Sequence, residues 1–160
     1  TQLPNRALLR DRLHTALARA RREQSQVALL FLDLDKFKQV NDTLGHAAGD
    51  QLLQGVAQRI QLCLREVDTV ARFAGDEFVV LLEDFHSADH ASVVAEKIRQ
   101  SLNQPFELCE RSQTILPSIG IALYPQHAQD EQQLLQHADN AMYRAKQKGG
   151  NRAHCAFELE

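Results

Sequence analysis

Six consecutive apolar residues, Val27 to Leu32, run straight into Asp33, Leu34 and Asp35. An unbroken apolar run of this length, bounded by polar residues, predicts a strand buried on both faces. Alternation along such a strand puts Asp33 and Asp35 on the same side. Two carboxylates leaving a hydrophobic strand are costly unless something positive neutralises them. A hard divalent cation holding a phosphate is one solution. A strand that simply ends in water, or acids that cap the next helix, is the other.

The remaining elements arrange themselves around this strand. Leu8, Leu9, Leu13, Leu17 and Ala20 recur at helical spacing up to about Glu23, and Pro4 suits a first helical turn. After the strand, a short helix is expected from Lys36 to Leu44, stopping at Gly45, and a longer one from about Ala48 to Leu64. Two short strands, Thr69–Phe73 and Glu77–Glu83, flank Ala74, Gly75 and Asp76 as a hairpin. Ala74 disfavours the primed turn types, so Gly75 is expected to take the positive φ. A helix from Ala88 to Leu102 follows. Pro105–Glu110 and Thr114–Tyr124 then read as a second antiparallel pair. Asp130 is the expected cap of the last helix, which ends at Gly149 and Gly150, before a short strand from Ala153 to Phe157. Paired strands mixed with helices predict an α/β (α+β) fold with a central, mostly antiparallel sheet flanked by helices. No GxGxxG turn or parallel βαβ unit argues for a Rossmann arrangement.

Composition narrows the function classes. The 160 residues fit one domain, 1–160, and a net charge of -3 gives no electrostatic footprint for nucleic acid. No apolar stretch is long enough to span a membrane. Cys63, Cys109 and Cys155 are odd in number and far apart, which argues for reduced thiols and a cytoplasmic setting, free or as the cytosolic part of a membrane protein. The chain starts at Thr1 and its only methionine is Met142, so a piece excised from a longer polypeptide is expected.

Asp76 and Glu77 place a second acidic point at a tight turn. If its strand lies beside the first, the acids meet at one sheet end; otherwise the turn is an exposed polar tip. Lys38, Asn41 and Asp42 share one helical face, and His46 and Asp50 follow across Gly45. Asn and Asp together can read a guanine edge, and Lys supplies a compact charge for phosphate. Each alone is also an ordinary solvated helix face. Lys146 lies opposite the apolar stripe of the last helix, with Arg152 beyond the glycines. His86, Asp89 and His90 mimic half a zinc site but lack a third ligand, and read as surface residues. Phe37 and Phe78 read as core anchors.

Seven ordered blocks carry a resemblance over nearly the whole chain: Leu3 to Arg6, Phe31 to Asp42, Leu44 to His46, Gly49-Asp50, Arg72 to Phe78, Ser118 to Ala122, and Ala138 to Lys146. In these the chain resembles the GGDEF domain, the diguanylate cyclase family. The resemblance implies a palm-like nucleotidyl cyclase fold and condensation of two GTP into cyclic di-GMP and two pyrophosphates. It implies two Mg2+ per site, with Mn2+ as a substitute, held by Asp33, Asp76 and the Leu34 carbonyl. It makes Asp76, Glu77 and Lys38 catalytic, with Asp76 the base for the attacking 3′-hydroxyl and Lys38 stabilising the transition state. Asn41, His46, Asp50 and Lys146 fall at substrate positions, Asn41 and Asp50 on guanine. One nucleotide site per subunit and a two-nucleotide product imply a two-fold homodimer.

Two positions depart from the family pattern. Ala74 replaces the first glycine of the turn, and Gly150 stands where the pattern has arginine, deleting a phosphate contact. Weaker triphosphate binding is the expectation. Arg65 and Asp68 have the spacing of the family's inhibitory product site; the alternative is a helix-end ion pair worth ~0.2–0.5 kcal/mol. Fused sensor or EAL phosphodiesterase domains are expected outside the chain. A non-catalytic module that binds GTP or cyclic di-GMP and regulates an EAL neighbour is the alternative function. Loss of Asp33, Asp76 or Glu77 would favour that alternative, and none is lost.

Overall fold

The computed structural model describes residues 3–157. In chain order it contains α1 (Arg6–Glu23), β1 (Gln26–Asp35), α2 (Phe37–Leu44), α3 (His46–Leu62), β2 (Thr69–Ala74), β3 (Glu77–Phe85), α4 (Asp89–Asn103), β4 (Phe106–Leu108), β5 (Arg111–Gln113), β6 (Leu116–Tyr124), α5 (Glu131–Gln147) and β7 (Arg152–Cys155). Five strands form one sheet in the order β2-β3-β1-β6-β7. Strand β1 lies at its centre, antiparallel to both β3 and β6, and only β7 runs parallel to its neighbour.

The apolar run of β1 is buried on both faces because the sheet is covered on both. Ala28, Leu30, Leu32 and Leu34 pack with α2, α3 and α4. Val27, Leu29 and Phe31 pack with α1 and α5. Alternation therefore sends odd-numbered β1 residues toward the α1–α5 layer. Helix α5 lies hard against β6 at Gly120, where a methyl group would run into the Ala138 carbonyl and the Met142 amide. This close approach brings the last turns of α5 over the sheet end that carries Asp33.

Caps fix the helix starts. Asn5 accepts a hydrogen bond from the Leu8 amide (3.0 Å), so α1 begins at Arg6 and Pro4 precedes the cap instead of occupying the first turn. Asp130 caps α5 through the Gln133 amide (2.8 Å), as the sequence predicts. The hairpin turn is centred on Gly75 and Asp76, because Ala74 pairs with Glu77. Gly75 takes the positive φ (25°) at the first central position, and Ala74 closes strand β2.

One pairing differs from the sequence expectation. Pro105–Glu110 and Thr114–Tyr124 do not pair with each other. The chain reverses at Cys109 and Glu110, both at positive φ (48° and 67°), so β4 pairs with β5 as a separate small sheet. Strand β6 instead joins β1 from Tyr124 to Leu116. Eight of its nine residues are buried, and only an interior position in the main sheet satisfies backbone polar groups at that depth. The last strand is also shorter than expected, ending at Cys155 and leaving Phe157 62% exposed. Helix α3 stops at Leu62, so Leu64 packs from the turn that follows.

Candidate active site

The ladder of β1 places Asp33 opposite Glu77 on one side and Ser118 on the other. Asp76 sits in the adjoining turn, whose carbonyl accepts a hydrogen bond from the Leu34 amide (3.3 Å). Acids from two separate segments thus meet at one sheet end. Asp33 is only 7% exposed. Its Oδ2 accepts the Lys146 ammonium from α5, while its buried Oδ1 has no hydrogen-bond partner among the described residues.

The electrostatics are those of crowded carboxylates. Burial, then hydrogen bonding to and repulsion by Asp33, push Asp76 up to about 6. Burial and the charges of Asp33 and Asp139 also raise Glu77, against Lys146 and Arg6. Asp139 rises through burial and Asp33. For Lys146 burial opposes the charge, but the Asp33 hydrogen bond and the charges of Asp33, Asp35 and Asp76 prevail and its pKa rises. A surplus of negative charge with an unpartnered buried carboxylate oxygen suits a hard divalent cation. Among the described residues no three His, Cys, Asp or Glu side chains converge closely enough to hold a metal. Two carboxylates, Asp33 and Asp76, and nearby backbone oxygens are the donors this sheet end offers.

Asp35 adds its charge to this sheet end but has hydrogen-bond donors of its own. Its carboxylate accepts the Ser118 hydroxyl (3.0 and 3.1 Å) and the Asn151 amide (3.3 Å). Gly150 closes over it at φ 73°, and any side chain there would run into the Asp35 carboxylate. On the other face of the sheet, Asn41 lies half-buried against Gly49, where a methyl group would strike its Oδ1. That contact sets Asn41 beside the turn of α3 bearing Asp50, with His46, Asp50, Lys38 and Asp42 exposed.

The Arg65–Asp68 pair is closed on itself. Asp68 Oδ2 accepts the Arg65 amide (2.9 Å) and Nε (3.2 Å), while Oδ1 accepts Arg65 Nη2 (3.1 Å) and the Glu83 amide (3.3 Å). Arg65 Nη2 also donates to the Glu83 carbonyl (2.5 Å). The Asp68 side chain is 1% exposed and that of Arg65 43%. His90 packs its ring on Phe85 (5.0 Å), and His86 and Asp89 remain exposed. Phe78 is fully buried and Phe37 packs against the same core.

Two residues at this sheet end carry no role in the sequence reading. Asp139 lies two helical turns before Lys146, a seven-residue spacing that shares one helix face and could have flagged it. Arg6 has no local signal; its place follows from the Asn5 cap and from docking of the Pro4 carbonyl on the Arg72 amide (3.3 Å).

The sheet and its acidic end are those of a class that the comparisons with known proteins identify. The family model described as diguanylate cyclase, GGDEF domain, matches residues 1–152, and the chain belongs to that family. It is 49% identical to the bifunctional diguanylate cyclase/cyclic di-GMP phosphodiesterase MucR of Pseudomonas aeruginosa, over 99% of this chain and 23% of that protein. It is also 49% identical to diguanylate cyclase TpbB of the same organism, over 92% of this chain and 34% of TpbB. The chain therefore spans about a quarter to a third of these relatives. The crystal structure of the TpbB GGDEF domain superimposes with a TM-score of 0.95 at 46% identity, covering 99% of both chains. The described residues contain no helix long and apolar enough to cross a membrane.

Proposed function

We propose that this chain is an active diguanylate cyclase that condenses two GTP into cyclic di-GMP and two pyrophosphates. The observation that carries the reading is the meeting of Asp33 and Asp76 at one sheet end, with a buried oxygen of Asp33 left without a partner. Asp33, Asp76 and the Leu34 carbonyl would hold Mg2+, or Mn2+ in its place. The ions would supply Lewis-acid neutralisation of the phosphates, the main demand of phosphoryl transfer.

The protein's own groups do the rest. Asn41 and Asp50 take the guanine edge, with His46 beside them. Lys38 and Lys146 take phosphate charge, and Lys38 stabilises charge as it develops in the transition state. Lys146, paired with Asp33, stands where it would share its charge between that carboxylate and a phosphate. A 3′-oxygen attacks the α-phosphorus, the bond to pyrophosphate breaks, and the hydroxyl proton passes to Asp76. Glu77, opposite Asp33, keeps the turn acidic. Burial and the Asp33 charge raise the Asp76 pKa to about 6, which makes it a stronger base than an ordinary carboxylate. The two reacting nucleotides come from two subunits, so the active species is a two-fold homodimer. Residues 1–160 act as one catalytic unit within a longer, cytoplasmically facing protein. Product feedback at Arg65 and Asp68 requires the clamp to open, because both Asp68 oxygens are engaged.

A second reading is a module that binds GTP or cyclic di-GMP and regulates a fused EAL phosphodiesterase domain. Gly150, which lacks the phosphate-binding side chain, favours it. Incubation with GTP and Mg2+ followed by chromatography separates the two. Cyclic di-GMP that disappears in Asp33→Asn supports the cyclase. Nucleotide binding without product, in protein shown to dimerise, supports the regulator.

A further inference from the structure

The turn at residues 149–151 closes α5 just beyond Lys146, and it is held from α4. Asn103, the last residue of α4, donates from Nδ2 to Asn151 Oδ1 (2.8 Å) and to the Arg99 carbonyl of its own helix (2.8 Å). Asn151 sits at φ 49°, a left-handed conformation that asparagine tolerates better than most side chains. Its amide donates to Asp35 Oδ2 (3.3 Å), and Gly150 closes over the same carboxylate. The charge of Asp35 acts on Lys146 together with those of Asp33 and Asp76. The end of α4 is a firm mount for this chain of contacts. Arg59 of α3 donates to the carbonyls of Ser101 (2.8 Å), Gln104 (2.6 Å) and Pro105 (2.7 Å), and its guanidinium lies over the Phe106 ring at 3.5 Å.

We propose that Asn103 is a positioning residue for the triphosphate, acting through Asn151 and Asp35 on Lys146. The inference rests on the cyclase reading and extends it to a helix outside the acidic sheet end. Asp33 and Asp35 lie on the same side of β1 and compete for the Lys146 ammonium. Asp33 holds it, because Asp35 is occupied by the Ser118 hydroxyl and the Asn151 amide. Without the bond to Asn103, residue 151 can leave its left-handed conformation, and its amide leaves Asp35. A buried carboxylate short of one donor draws the nearest cation. Lys146 then turns toward Asp35 and away from the place where it meets phosphate. Gly150 adds no cation of its own, so Lys146 carries more of the phosphate charge. The guanine residues Asn41 and Asp50, on the α2–α3 face, are untouched by this change.

The test titrates the intact protein with 3′-deoxy-GTP and Mg2+ in a calorimeter, which reads the triphosphate, and with guanosine by ligand-observed NMR, which reads the base alone. Asn103→Ala is expected to lower 3′-deoxy-GTP affinity about 10-fold, the scale of one hydrogen bond to a charged group. Guanosine affinity should stay at the wild-type value. Asn151→Gly keeps the left-handed turn but removes the Oδ1 acceptor; it should give the same loss, and serves if Asn103→Ala does not fold. The double variant should be no worse than either alone, since both break one bond. Wild-type affinity for 3′-deoxy-GTP in both single variants overturns the proposal. So do additive losses, or an equal loss of guanosine affinity, which would mark general damage to the fold. Wild-type protein that does not bind 3′-deoxy-GTP overturns both the proposal and the cyclase reading. A dimeric wild-type protein that binds it but makes no cyclic di-GMP overturns the cyclase reading alone, and the binding comparison still decides the proposal.

Discussion

Asp33 is the residue on which the site turns: a carboxylate 7% exposed, tied to Lys146 by one oxygen and unpartnered at the other. Its neighbour Asp76 gives a pH prediction. A carboxyl whose pKa is raised to about 6 by folding contributes stability that is complete below the unfolded value of 3.8. That contribution is lost as pH rises through about 6. In chelator the melting temperature should therefore fall from pH 4 to pH 6.5, and Asp76→Asn should flatten the slope and raise the melting temperature at pH 7. An unchanged slope in the variant would contradict the assigned burial and repulsion. Mg2+ must displace the same proton, so its affinity should rise across this interval in a calorimetric titration. Arg65 makes a separate prediction. Arg65→Ala leaves the buried Asp68 carboxylate with two fewer side-chain donors and should cost about 2 kcal/mol in urea unfolding. If product feedback also uses this pair, the inhibition constant for cyclic di-GMP should rise in the same variant. Gly150→Arg is a poor probe of triphosphate affinity, since its side chain would have to displace Asp35 before reaching a phosphate.

At the level of elements, the contact between α5 and β6 sets the catalytic geometry. Gly120→Ala should push the helix off the sheet, cost roughly 1–3 kcal/mol as overpacking, and carry Lys146 away from Asp33. Chemical denaturation combined with GTP turnover checks this, with both expected to fall; wild-type stability would mean that the helix yields freely. Much of this layer could be read from sequence. The strand of Val27 to Leu32 and the Asp130 cap are set by patterns within ten residues and appear where those patterns put them, whereas Gly75 takes its expected positive φ as the first central residue of the turn and Ala74, expected inside the turn, closes the strand before it. The route of Leu116–Tyr124 could not be read that way, because a buried strand between turns pairs equally well with a local partner or a distant one. Its choice of β1 follows from completing an interior ladder. Likewise, the Lys146–Asp33 pair joins positions 113 apart, and only the stacking of α5 reveals it. The acids of the site announced themselves by their abrupt placement at strand and hairpin ends. Asp139 and Arg6, embedded in ordinary helical sequence, did not.

For the whole molecule, the arrangement is a sheet end with different equipment on its two faces. Asn41 and Asp50 lie on the α2–α3 side, a cavity lined by Arg6, Arg10, Glu77, Glu131 and Asp139 on the α1–α5 side, and Asp33 and Asp76 between them. Such a layout suits a reaction that joins two nucleotides from two subunits, and turnover per subunit should rise with protein concentration until the dimer saturates. Gel filtration run alongside the assay checks this; constant specific activity down to concentrations where only monomer elutes would contradict it. The most direct test of the shared cation site is an anomalous-scattering crystal structure with Mn2+ and 3′-deoxy-GTP bound. Manganese is expected in contact with carboxylate oxygens of both Asp33 and Asp76, beneath the triphosphate. A nucleotide at full occupancy with its metal held by neither aspartate, or by one alone, would contradict it.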